Sequence, residues 1–117
     1  MISQTLTQEV SLLEADLCSA FSDPTRILIL YALNERPLNV TELTNELGIT
    51  QPTTSRHLRV LRDKGLVYTT RQGNSITYSI SDKRLIQALD LLRSVLRDRI
   101  QHRANLMGKV NLAHQHS

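Results

Sequence analysis

The chain has 117 residues, of which 40% are hydrophobic and 21% charged, as is typical of a single globular domain. Its longest apolar runs, such as residues 27–33, are too short to span a bilayer, and its first residues form neither a basic segment nor an apolar signal core. A single cysteine, Cys18, excludes an intrachain disulfide and any CxxC zinc or redox site. We therefore expect a cytoplasmic protein.

The net charge of +3 is distributed unevenly along the chain. Residues 1–23 contain Glu9, Glu14, Asp16 and Asp23 and no basic residue. Residues 51–71 contain five basic side chains and one acidic side chain, a local charge of +4. Such a basic stretch is typical of a surface that binds a polyanion, and the alternative is a solvated helix face that happens to be basic.

Two helices are predicted at the start of the chain. Residues 4–20 carry apolar side chains at helical spacing, namely Leu6, Val10, Leu13 and Leu17. Ser22 or Asp23 can cap a second helix, with Pro24 in its first turn. The second helix extends to about residue 34 and is apolar on nearly all sides, which predicts a buried position in the core.

A helix-turn-helix unit is predicted over residues 41–64. Thr41 is a candidate N-cap for its first helix, and Gly48 suits the C-terminal cap of that helix. Thr50 can cap the second helix, which is the basic one.

A β-hairpin and a long last helix complete the chain. Strand-forming residues flank a turn signal at residues 72–74, which predicts a hairpin over residues 66–80. Ser81 or Asp82 can cap a last helix that reaches about residue 106, and the tail from Gly108 is expected to fray. One face of this helix carries a stripe of leucines wider than a single domain needs: Leu85, Leu89, Leu92 and Leu96.

The basic helix and the hairpin tip carry groups that can contact nucleic acid. Short polar and guanidinium side chains can bind base edges and phosphates. The candidates are Gln51, Thr53, Ser55, Arg56, Arg59, Arg71 and Asn74. For Gln51 and Thr53, the simpler interpretation is ordinary chemistry of a helix N-terminus. The pattern as a whole predicts a mainly α protein with a small β-hairpin, arranged as a winged helix-turn-helix.

The chain resembles the ArsR/SmtB-type family of bacterial repressors over about residues 15–81. Two strings carry the resemblance, SDPTRI at residues 22–27 and QPTTSRHL at residues 51–58. The resemblance implies a homodimer that binds double-stranded DNA and represses transcription. It also implies that His57 contacts DNA like the corresponding family histidine, the alternative being a histidine that packs between helices.

The resemblance further implies how the single domain, residues 1–117, is organised. Residues 66–80 would form the wing, and residues 82–106 would form the C-terminal dimerisation helix. The first and last helices of such a family member form the dimer interface. The expected interface residues are Leu6, Val10, Leu13, Leu85, Leu89, Leu92 and Leu96.

Members of this family often sense metals, and two sets of positions in this sequence correspond to their sensor sites. Asn39 and Thr41 occupy the positions where thiolates would bind a soft metal. Arg84 and Val95 interrupt the histidine and carboxylate set of the zinc-type site. We therefore expect neither familiar metal site and predict no cofactor, and the sequence identifies no small-molecule inducer.

Four other side chains are weaker candidates for sensing. His102, His114 and His116 could hold a divalent metal, the alternative being a solvated tail. Cys18 could act as a redox-sensitive thiolate, the alternative being a small buried hydrophobic residue.

The sequence also bears on two other classes of function, protein binding and enzymatic activity. A winged helix can bind another protein instead of DNA, although the basic helix argues against this alternative. Enzymes of the common classes are excluded by the lack of a phosphate-binding glycine loop, an HExxH motif and a nucleophile elbow, so we expect no enzymatic activity.

Overall fold

The computed structural model describes the backbone of residues 1–115 and the side chains of residues 1–108. The chain divides into two compact units, Met1–Lys83 and Arg84–Ser117. Within the described residues, the first unit holds four α-helices, a π-helical segment and a two-stranded sheet, and the second is one long helix. None of the helices in this described part is both long enough and apolar enough to cross a membrane.

The N-terminal helical segment begins regularly and then widens. Helix α1 spans Gln4–Leu12 and is capped by Ser3, whose hydroxyl accepts a hydrogen bond from the Leu6 N–H at 3.1 Å. From Leu13 to Cys18 the backbone forms a π-helix. The sequence predicted one regular helix over residues 4–20, because nothing in it marks the change of pitch. π-Helical turns are rare and frequently lie at functional sites.

Helix α2 spans Pro24–Glu35 and begins as predicted. The Asp23 carboxylate accepts a hydrogen bond from the Thr25 N–H at 2.8 Å, and Pro24 occupies the first helical turn. The buried side chains of the helix are Ile29, Leu30 and Leu33. Leu28 is 54% exposed, so the expectation that α2 is buried on nearly all sides is wrong for this face.

Helix α3 spans Val40–Leu47, and its N-cap is Asn39 rather than the predicted Thr41. The Asn39 side chain accepts from the Glu42 N–H at 2.8 Å, and the Glu42 carboxylate accepts from the Asn39 N–H at 3.0 Å. This reciprocal capping box satisfies two backbone donors, which a cap at Thr41 would leave to solvent. The pKa of the Glu42 carboxyl lies below its ordinary value, first because the carboxylate accepts from the Asn39 N–H and second because it accepts from the Arg36 guanidinium.

The turn of the helix-turn-helix follows the prediction. Gly48 ends α3 with φ +66°, a left-handed conformation that favours glycine. Helix α4 spans Gln51–Asp63, and the Thr50 hydroxyl accepts from the Thr53 N–H at its start.

A buried threonine holds α3 and α4 together. Thr54 is fully buried, and its hydroxyl donates to the Thr50 carbonyl at 3.0 Å. The same hydroxyl oxygen accepts from the Thr44 hydroxyl of α3, also at 3.0 Å. The apolar side chains buried on these two helices are Leu43, Leu58 and Leu61. The two helices are therefore joined by a satisfied polar contact inside an apolar core.

Replacing Thr54 by valine is expected to lower the free energy of unfolding by about 1–3 kcal/mol, because the Thr44 hydroxyl loses its buried partner and the Thr50 carbonyl keeps only the Thr54 N–H. Urea unfolding followed by circular dichroism measures this loss. Thr70→Val, at an exposed position of the hairpin, is the matched control and is expected to stay within about 0.5 kcal/mol. Equal stability of the two variants would show that the threonine contact contributes nothing.

The hairpin forms close to its predicted position. Strand β1 spans Val67–Gln72 and pairs antiparallel with β2, Ser75–Ile80, through a two-residue turn in which Gly73 has φ +62°. Leu38, in the loop between α2 and α3, exchanges two backbone hydrogen bonds with Tyr78 of β2, at 3.1 and 2.8 Å. This bridge fixes the root of the hairpin on the helix-turn-helix.

Helix α5 spans Arg84–Gln115 and is longer than predicted. It continues past residue 106, so the expectation of fraying from Gly108 is wrong up to Gln115. Leu92 and Leu96 are 63% and 55% exposed, and Leu85 is half-buried. Leu89 is only 5% exposed within one chain. The assignment of Leu89 to the dimer interface stays a prediction.

Candidate nucleic-acid interface

Helix α4 presents one buried and one exposed face. Its buried side chains follow helical spacing, at residues 54, 58 and 61. Gln51, Ser55, Arg56 and Arg59 are exposed on the other side. These side chains form a polar surface on α4 that begins at the helix N-terminus.

A basic cleft lies beside this exposed face. It has a volume of about 600 Å³ and is lined by Ser55, Arg56, Arg59, Arg62, Asp63 and Tyr78. Three guanidinium groups face one carboxylate, so the lining carries a net positive charge. Tyr78 comes from β2, so the root of the hairpin forms one wall of this basic cleft. A concave, positively charged surface of this kind attracts a phosphate backbone.

Thr53 takes part in the cap of α4. Its hydroxyl accepts hydrogen bonds from the Thr50 hydroxyl at 2.8 Å and from the Arg56 guanidinium at 3.3 Å. Thr53 is half-buried, whereas Gln51 is exposed. Capping of α4 therefore explains the presence of threonine at position 53. Its hydroxyl also holds the Arg56 side chain against the helix.

His57 does not share the exposed face of α4. Its side chain is only 16% exposed, and its Nε2 lies 3.9 Å from Oδ2 of Asp23. Its Nδ1 lies 3.4 Å from Nη1 of Arg26. The structure thus favours the interpretation of His57 as a histidine that packs between helices, against the start of α2.

The structure brings only some of the predicted contact residues together. Ser55, Arg56 and Arg59 share the basic cleft. Arg71 and Asn74 are exposed at the tip of the hairpin and do not line the cleft.

Three residues that line the basic cleft were not among the predicted contacts: Arg62, Asp63 and Tyr78. Arg62 follows Arg59 by three positions, so helical spacing places both on one side, and this signal was available in the sequence. Tyr78 reaches the cleft because β2 is bridged to Leu38, a contact between residues far apart in the chain. No local pattern could have indicated it.

The candidate sensor residues lie in different surroundings in the structure. The side chain of Asn39, at a position where a thiolate would be needed, is occupied by capping α3. Cys18 is exposed in the π-helical segment, so the interpretation as a buried hydrophobic residue is wrong. His102 lies on α5, while the His114 side chain and His116 lie outside the described residues. In the described part of the chain, no three histidine, cysteine or acidic side chains are placed to share a metal.

Comparison with known proteins identifies the family. The sequence profile of the bacterial regulatory protein, arsR family, matches residues 23–69. The HTH-type transcriptional regulator NmtR of Mycobacterium tuberculosis is 40% identical over 88 residues, covering 75% of this chain and 73% of NmtR. The chain belongs to the ArsR family.

Solved structures support the architecture of this ArsR-family chain. The transcriptional repressor BigR from Xylella fastidiosa gives a TM-score of 0.68 at 30% identity, covering 80% of this chain and 96% of the BigR chain. A homodimeric winged helix-turn-helix DNA-binding domain from Mycobacterium bovis gives a TM-score of 0.72 at 23% identity, covering 86% and 93%. The predicted family and the predicted winged helix-turn-helix fold are both confirmed.

Proposed function

We propose that this ArsR-family chain is a cytoplasmic, homodimeric transcriptional repressor that binds specific double-stranded DNA sequences. The observation that carries the proposal is the basic cleft, which is lined by Arg56, Arg59 and Arg62 from the exposed side of α4 beside the hairpin. The named relatives agree in kind, since NmtR is a transcriptional regulator and BigR a transcriptional repressor. Repression follows if the bound protein occupies a promoter.

The contacts divide into two groups by their chemistry. The arginines of the basic cleft bind phosphates, which fixes the register of the protein on the duplex and makes the affinity depend on salt. Gln51 and Ser55, near the N-terminus of α4, face the major groove and read base edges. Arg71 and Asn74 at the hairpin tip reach the adjoining backbone or the minor groove.

The dimer rests on apolar side chains that one chain leaves in water. Leu6, Val10 and Leu13 are about half exposed on the N-terminal helix, and Leu92 and Leu96 are exposed on α5. Burying one leucine is worth roughly 1.5–3 kcal/mol, so pairing these faces between two chains would be strongly favourable. The dimer would present two copies of α4 to two half-sites spaced by about one helical turn or a multiple of it.

The proposal is tested by selection from a library of random 30-base-pair duplexes. The full chain is expected to enrich a sequence with two related half-sites and to bind it more weakly as salt rises. Unrelated duplexes should bind less tightly, with a similar salt dependence. Failure to enrich any sequence, together with salt-independent binding, would exclude the proposed function.

Gln51→Ala is expected to change which base is preferred at one position of each half-site. A bidentate contact from glutamine to adenine discriminates by about 1–3 kcal/mol, and alanine cannot make it. Competition binding against the selected duplex and its single-base variants measures the ranking. Glu46→Ala, at an exposed position of α3, is the control. If Gln51→Ala ranks the duplex variants as the original chain does, Gln51 does not contact a base edge.

A further inference from the structure

Arg26 joins three parts of the first unit. Its Nε donates to the Ala20 carbonyl at 2.7 Å, and its Nη2 donates to the Ser19 carbonyl at 3.2 Å. These carbonyls lie at the C-terminal end of the N-terminal helical segment, where a cation is favourable, and the Ser19 carbonyl also accepts from the Ser22 hydroxyl at 2.7 Å. Its Nη1 reaches the ring of His57 on α4. One guanidinium on α2 therefore contacts both the end of the N-terminal helical segment and the DNA-facing helix.

The ring of His57 lies between a guanidinium and a carboxylate. Its Nδ1 is 3.4 Å from Nη1 of Arg26. On the other side of the ring, Nε2 is 3.9 Å from Oδ2 of Asp23. The hydrogen bond from the Thr25 N–H is the main cause that holds the pKa of Asp23 below its ordinary value. His57 thus contacts two side chains at the start of α2.

We propose that Asp23, Arg26 and His57 form a positioning cluster that couples the N-terminal helical segment to DNA binding by α4. His57 is a positioning residue in this scheme, because its ring faces α2 while its neighbours Ser55, Arg56 and Arg59 face outward. The inference rests on the proposed function and adds a route of control to it. Any event that moves the end of the N-terminal segment, such as subunit association, shifts Arg26 and hence the orientation of α4.

The cluster makes the coupling reciprocal. If the N-terminal segment biases α4, DNA bound at α4 must bias the N-terminal segment by the same free energy. DNA binding should therefore slow amide hydrogen exchange in the segment around residues 17–22, and this effect should require the cluster. A residue with a merely structural role would not transmit such a change.

The test uses the full chain with a selected 30-base-pair duplex, fluorescence anisotropy and a salt series. His57→Ala is expected to weaken binding by about tenfold, within the range for residues that couple two sites. The salt slope and the ranking of duplex variants should stay unchanged, because no phosphate or base contact is removed. His57→Gln should recover most of the lost affinity, since its amide can accept from Arg26 and donate to Asp23.

Arg26→Lys, alone and combined with His57→Ala, completes the test, and Arg36→Ala serves as its control. Arg26→Lys keeps the charge but cannot span Ala20 and His57 at once, so it should weaken binding like His57→Ala. In the double variant Arg26→Lys with His57→Ala, the loss should equal the larger single loss, because both changes break the same contact. Arg36→Ala, which removes one exposed ion pair with Glu42, is the control. Circular dichroism establishes that each variant is folded.

Several outcomes would overturn the cluster. A smaller salt slope in His57→Ala would indicate a phosphate contact, and a changed ranking of duplex variants would indicate a base contact. Unchanged affinity, or protection of residues 17–22 by DNA in His57→Ala as in the original chain, would also refute it. If His57→Ala does not fold, Arg26→Lys and His57→Gln decide the question. Failure of the original chain to bind any duplex would instead refute the proposed function.

Discussion

A chain carrying both Leu92→Glu and Leu96→Glu is expected to be a folded monomer that has lost operator binding. Both leucines are more than half exposed in one chain, so the new carboxylates leave its own core intact. In the proposed dimer these carboxylates would be buried without partners, which is strongly unfavourable. A monomer engages one half-site only, so the gain from linking two half-sites disappears and affinity should fall by about 100-fold or more.

Sedimentation velocity at micromolar concentration, with anisotropy on the selected duplex, measures both effects. Gln87→Glu with Gln101→Glu adds the same charge to the same helix at positions that are already polar and exposed, and it should remain a dimer. A Leu92→Glu, Leu96→Glu chain that still sediments as a dimer would place the interface elsewhere on the molecule.

Removing the three arginines of the basic cleft is expected to abolish most of the DNA affinity regardless of sequence. Each phosphate contact contributes about 0.9 to the slope of log affinity against log salt. If each arginine binds one phosphate, Arg56→Ala, Arg59→Ala and Arg62→Ala together remove six contacts from the dimer, and the slope should fall by about 5. The preference for selected over unrelated duplexes should persist, because Gln51 and Ser55, the residues proposed to contact base edges, remain.

Titrations of the selected duplex and of an unrelated duplex at several salt concentrations give both slopes. The control removes three positive charges outside the cleft, in Arg36→Ala, Lys83→Ala and Arg93→Ala combined. A control with the same loss of slope would show that net charge alone is responsible. An unaltered slope in the cleft variant would show that DNA does not enter the basic cleft.

The features that could be predicted from the sequence are those that depend on neighbouring residues. Asp23 and Pro24 start α2, and Gly48 and Thr50 form the turn, because caps act over three or four positions. The sequence predicts Thr41 as the N-cap of α3 because threonine is a good cap, but the cap is Asn39. There the reciprocal contact between Asn39 and Glu42 decides the outcome.

The features that could not be predicted depend on distant contacts or on small changes of helix geometry. His57 follows Thr54 by three residues and precedes Leu61 by four, which places it at the edge of the buried face of α4. Its partners Asp23 and Arg26 lie more than thirty residues earlier in the chain. The π-helical segment has no glycine or proline to mark it, and α5 continues through Gly108 to Gln115 although glycine often marks a helix end.

The capping box at the start of α3 bears on how a thiolate metal site could evolve in this chain. A cysteine at position 39 would remove the side chain that accepts from the Glu42 N–H, and losing such a cap destabilises a protein by about 1 kcal/mol. A single thiolate is too few ligands to hold a soft metal, so the first substitution brings no compensating gain. Stepwise mutation therefore passes through a less stable, unresponsive intermediate. In proteins that evolve from this chain, a response to an effector should arise more readily at positions whose side chains do not cap a helix.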